Sequence, residues 1–152
     1  MKTKTGIIME KTIIGLKGKA NVGKSMTLSR LGRQLRNAGG VTQDDIDKSE
    51  YWAVFEYQGV KIGVQTYGDH VNDVSAGIAG FLDRQCAIIV TASKTTGDTV
   101  DHLNQVAGTN GYRIIWARPY EVGDGSIAVE VIKEYGASHL LRMINDIISG
   151  II

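Results

Sequence analysis

Residues 12–38, TIIGLKGKANVGKSMTLSRLGRQLRNA, restrict the fold more than any other stretch of the chain. Residues 12–16 form a short apolar run that reads as a buried strand. Gly18, Lys19, Ala20, Asn21, Val22, Gly23, Lys24 and Ser25 follow, with the spacing G-x-x-x-x-G-K-[ST]. A helical pattern comes next, with Leu28, Leu31, Leu35 and Ala38 on one face and Arg30, Arg33 and Arg36 turned outward. Strand, glycine loop and helix in this order is a context in which main-chain N–H groups converge on an anion. Gly18 and Gly23 let the backbone curl, Lys24 sits where an ammonium can bridge outer phosphates, and the Ser25 hydroxyl can ligate Mg2+. The first helical turn, through Met26, contributes unpaired N–H groups and the positive end of its dipole. The plain alternative is a glycine-rich turn that only joins strand to helix.

Through residues 18–25 the chain resembles the P-loop NTPase superfamily, whose Walker A motif has this spacing. The resemblance implies a phosphate site formed by residues 18–26, ATP as ligand, Mg2+ as cofactor and Lys24 as a catalytic contact. Lys19 stands where the deviant Walker A motif of partitioning and septum-placement ATPases carries a signature lysine that reaches a dimer partner's nucleotide. That likeness implies a homodimer, although Ala20 and Asn21 replace the two glycines of that motif; an exposed loop lysine is the other reading.

At 152 residues the chain suits one domain, residues 1–152, able to bury about 68–70% of its unfolded surface. Hydrophobic residues make up 43% and charged residues 22%, as in ordinary soluble proteins. The net charge of +1 gives no overall field toward nucleic acid or membrane, so neither is an expected partner. Cys86 is the only cysteine and enters an apolar run, which fits a buried thiol in a reducing compartment. Residues 1–5 are basic, without the apolar core of a secretory signal, and no apolar run reaches membrane-span length. Together these predict a cytoplasmic protein.

The rest of the chain continues in α/β fashion. Gly39-Gly40 stops the first helix, and residues 41–50 read as a polar loop with Asp44, Asp45, Asp47 and Glu50. Residues 51–57 and 60–66 flank Gln58-Gly59 and predict an antiparallel hairpin. A helix over 71–85, a buried strand over 86–92, a helix over 98–107 and a strand over 112–117 follow. Residues 127–149 predict a helix bent at Gly136, with Val131, Tyr135, Leu141, Ile144 and Ile148 inward. The expected fold is a doubly wound, mostly parallel sheet of about five strands, with one antiparallel edge hairpin and helices on both faces. Its strand C-termini would gather residues 18–25, 66–70, 91–96 and 118–120 on one rim.

Further candidates lie on that rim. Gln65-Thr66-Tyr67-Gly68 resembles the D-x-x-G segment of Ras-like GTPases, with Gln65 where the acid is expected. Asp69 is the substitute acid, as an Mg2+ ligand through water or a general base; capping the helix at residue 71 is its other reading. Residues 118–121, Arg-Pro-Tyr-Glu, stand where Ras-like GTPases carry N-K-x-D, which favours ATP over GTP. Arg118 is a candidate for adenine or phosphate, as in nucleoside monophosphate kinases. Thr91, Ser93 and Lys94 are candidates for sensing a γ-phosphate, while Thr96 to Thr99 also read as helix-capping chemistry. His70 reads as solvent-facing, and His102 and His139 lie on predicted helices without a visible partner. The leading expectation is a Mg2+-dependent ATPase. The alternatives are a kinase for a small acceptor and a weakly hydrolysing nucleotide switch or assembly module.

Overall fold

The computed structural model describes residues 9–19, 22–121, 123 and 125–152. In chain order these form β1 (Thr12–Lys17), α1 (Lys24–Asn37), β2 (Val41–Thr42), β3 (Trp52–Tyr57) and β4 (Val60–Gln65). They continue with α2 (Val71–Asp83), β5 (Ile88–Ser93), α3 (Asp98–Asn110), β6 (Arg113–Ala117) and α4 (Val129–Ile148). The six strands make one mixed sheet in the order β2-β3-β4-β5-β1-β6. Strands β4, β5, β1 and β6 run parallel, and β3 and β2 add an antiparallel edge.

Alternation along the strands explains why helices cover both faces. Ile14 and Leu16 of β1 enter a core with Leu28, Leu31 and Leu35 of α1 and with Leu140 and Ile144 of α4. Ile13, one residue out of phase, joins Val74, Ile78 and Phe81 of α2 and Leu103 and Val106 of α3 on the opposite face. The central strands are thus apolar on both sides, as their sequence runs suggested. At the hairpin tip Gln58 (φ 52°) and Gly59 (φ 77°) both adopt the left-handed conformation that a tight two-residue turn requires.

Two details differ from the sequence reading. The sheet has six strands because residues 41–42, taken as loop, pair with Glu56 and Phe55 of β3. A two-residue strand carries no periodicity to read. Helix α4 runs on through Gly136, and its buried face is Ile132, Gly136, Ala137, Leu140, Ile144, Ile147 and Ile148. Val131 and Tyr135 are instead exposed. Gly136 serves as a contact: a Cβ there would stand 3.3 Å from Thr27 Cγ2 of α1. No described helix is long and apolar enough to cross a membrane.

Candidate functional site

The parallel strands bring four segments to one rim: the 18–25 loop after β1, residues 66–70 after β4, the end of β5, and residues 118–121 after β6. Strand β5 lies between β1 and β4, so the Ser93 corner separates the glycine loop from the Gln65 strand. Ala20 and Asn21 fall outside the described residues.

Lys24 opens α1 and is only 5% exposed. Its ammonium donates to Gly18 O (2.7 Å), Ser93 O (2.9 Å) and Asp69 Oδ1 (2.8 Å), so all three protons are used. Gly23, in the left-handed conformation (φ 87°), turns the chain into the helix. The amides of Lys24, Ser25 and Met26 fall in the first turn, before the ladder starts with Thr27 N–H donating to Gly23 O. Gly18 differs from the simple picture of a loop whose every N–H faces an anion. Its N–H donates to Ser93 O at 3.1 Å, prolonging the β1–β5 ladder, and its carbonyl holds Lys24.

Asp69 reaches Lys24 because Gly68 lies flat against β5, where a Cβ would come within 2.3 Å of Ala92 Cβ. The capping alternative for Asp69 is not what the geometry shows: His70 is the cap residue of α2, and no side chain caps it. Ser25 Oγ donates to Thr66 O (3.1 Å) or to Glu50 Oε1 (3.2 Å). Glu50 is anchored by its neighbour Tyr51, whose hydroxyl donates to Leu28 O (3.2 Å) or Ser29 O (3.3 Å) of α1. Burial pushes that phenol up to about 12. A small pocket of about 180 Å3 between these groups is lined by Lys24, Ser25, Glu50, Asp69 and Asp73.

Among the described residues no three acids, histidines or cysteines converge to cage a metal. A hydroxyl, the Thr66 carbonyl and the carboxylates of Glu50, Asp69 and Asp73 on one pocket are all oxygen donors. They fit Mg2+, which takes few protein ligands and keeps water or phosphate in the rest of its shell. Gln65 is not among them. It is fully buried on the α2 side, its amide donating to Thr91 Oγ1 (2.8 Å) and Val74 O (3.3 Å). Thr91 is therefore turned from the site as well.

The Ser93 hydroxyl is tied into the β5–α3 corner, 3.2 Å from Thr99 Oγ1, and its carbonyl is what meets Lys24. Thr99 Oγ1 accepts from Lys94 N–H, and within the capping segment 96–99 Gly97 is the cap position of α3, with no side-chain cap bond. Arg118 and Lys19 are exposed, make no ion pair among the described residues, and border one cleft of about 360 Å3 with Lys17, Thr95 and Glu121. His70 is exposed, whereas His139 has a partner that its sequence position did not reveal, the Tyr120 hydroxyl. Cys86 is buried, which pushes its thiol up to about 11 and leaves it an inert core group.

Two residues of this neighbourhood escaped the sequence reading. Glu50 was one acid among four in a polar loop, and only the hairpin start at Tyr51 sets it beside Ser25. Lys133 of α4 is 5% exposed and donates to Val22 O (2.9 Å) and Tyr120 O (2.7 Å). Its signal was present, since a lysine three, four and seven residues before Gly136, Ala137 and Leu140 sits on the packed face. No family model, curated protein or solved structure matches the chain.

Proposed function

We propose that this chain is a P-loop protein that binds ATP with Mg2+ and hydrolyses it. The observation that carries this reading is the Lys24 ammonium, desolvated at the mouth of the 18–25 loop beside the amides of the first α1 turn. A cation held there by two carbonyls and one carboxylate is matched to an oxyanion ligand. The phosphate end of ATP takes the position of the Asp69 carboxylate on Lys24, and the loop and first-turn amides complete its cradle. Ser25 would hold Mg2+, with Asp69 and Glu50 as carboxylates near it, and the bound ion would supply charge neutralisation at the phosphates. Arg118, with Lys17 and Lys19, borders the adjoining cleft and receives the rest of the nucleotide. The 118–121 segment has Arg118 in place of the amide of N-K-x-D and Glu121 in place of its aspartate, which supports adenine. Lys24→Ala tests the reading: calorimetry should find ATP binding lost while circular dichroism stays unchanged, and unaltered affinity would overturn it.

A specific observation favours phosphoryl transfer to a small acceptor as the second reading. A polar groove of about 550 Å3 opens beside Ser25, between α1 and residues 46–49, lined by Ser29, Arg33, Asp47, Lys48 and Ser49. ATP consumption that rises only when a nucleoside, nucleotide or metabolite is added would move the assignment from hydrolase to kinase.

A further inference from the structure

Lys133 poses a problem that the core of the fold does not solve. Its side chain is 5% exposed, yet no carboxylate among the described residues pairs with it. Glu121 acts on it only at longer range, and burial lowers its pKa from the ordinary lysine value. An ammonium taken out of water costs several kcal/mol unless opposite charge or good acceptors compensate. Two carbonyls, Val22 O and Tyr120 O, use two of its three protons. One carbonyl belongs to the glycine loop and the other to the segment after β6.

The stem of Lys133 is fitted to the same loop. A Cβ on Gly23 would stand 2.2 Å from Lys133 Cε, so glycine at 23 serves the lysine as well as the left-handed turn. The peptide plane adds a directional consequence. With Val22 O drawn toward Lys133, the N–H of Gly23 on the same trans peptide points the other way, away from α4.

We propose that Lys133 is a positioning residue of the phosphate site. It holds the Val22–Gly23 peptide with its N–H offered to the anion, and a bound polyphosphate supplies the negative charge that no described carboxylate supplies by direct contact. The inference rests on the nucleotide reading above. It assigns to α4 a part in a site that the sequence motif places wholly between β1 and α1.

The test uses inorganic tripolyphosphate and ATP as probes of the intact chain. Lys133→Met should bind both at least about tenfold more weakly, by the same factor, with the unliganded melting temperature unchanged or raised. Equal affinity in variant and wild type would overturn the assignment. So would a loss seen with ATP but not with tripolyphosphate. Should the Met variant not fold, the wild-type protein labelled with 15N-lysine decides. Saturating tripolyphosphate should shift the Lys133 ammonium resonance and slow its proton exchange, and a resonance that stays in place would overturn the proposal. A wild type that binds neither probe removes the nucleotide reading itself. A wild type that binds both, with variant and resonance unaffected, removes only Lys133.

Discussion

Two lysines flank the 18–25 loop, both 5% exposed, and their surroundings differ in one respect. Lys24 meets two carbonyls and the Asp69 carboxylate, which is 42% exposed and free to swing toward water. Lys133 meets two carbonyls and no described carboxylate. The first charge has a removable counter-ion in contact, and the second has none in contact among the described residues. On the proposed reading, an arriving anion would compete with Asp69 for Lys24 and meet no described carboxylate in contact with Lys133. Exchange and attraction would then be divided between two side chains of the same chemistry.

Substitutions that separate these roles rank by expected size. Lys24→Ala comes first: truncating a desolvated charge partner costs about 3 kcal/mol, or about a hundredfold in ATP affinity by calorimetry. A loss at Lys24 no greater than at Lys133 would erase the distinction. Gly68→Ala comes second. The added Cβ meets Ala92 and the backbone of Ser93, so chemical denaturation should show a loss of about 1–3 kcal/mol. The same change pushes Asp69 from Lys24, so magnesium-free ATP should bind more tightly relative to the variant's own stability.

Asp69→Asn is gentler. Lys24 is buried but Asp69 is 42% exposed, and this open side limits the pair to about 1 kcal/mol, so melting moves by a few degrees at most. Binding of magnesium-free ATP should strengthen severalfold, while its enhancement by Mg2+ weakens. An unchanged magnesium dependence would return Asp69 to a purely local partner of Lys24. The smallest effect concerns the α1–α4 seam that carries Lys133. Glu134 accepts from the Gln34 amide and from Arg30, which hold its carboxyl below its ordinary value of 4.5. That stabilisation is complete above pH 4.5 and is lost as pH falls through the lower folded value. Acid denaturation of Glu134→Gln should show a shallower limb there, with the two curves parallel near neutrality.

Legibility in the sequence followed the range of the forces involved. Local rules placed the strand, loop and helix of residues 12–37 and the Gln58-Gly59 hairpin, because turn chemistry and periodicity lie within a few residues. The choice of face on α4 went astray because Val131 and Tyr135 compete with Ile132 and Gly136 for the same 3.6-residue period. Tertiary packing against Thr27 decided between them. Gln65 looked like a misplaced metal ligand because strand phase cannot be read at a strand's last residue. Phase sends it to Thr91 and α2, and the acids near Ser25 come from Glu50 and Asp69. Lys133 has a signal in its spacing to Gly136, Ala137 and Leu140, but the rule that charge on a helix reports solvent outweighs it.

The bond from Lys133 to Val22 bridges 111 positions of sequence. During synthesis the glycine loop leaves the ribosome before α4, and Lys133 emerges only after the six described strands of the sheet have been made. A nascent chain arrested before α4 therefore carries the complete motif without the proposed brace, the Lys133 bond to Val22 O. Ribosome-bound fragments of increasing length should acquire triphosphate affinity in a late step, when the final helix docks.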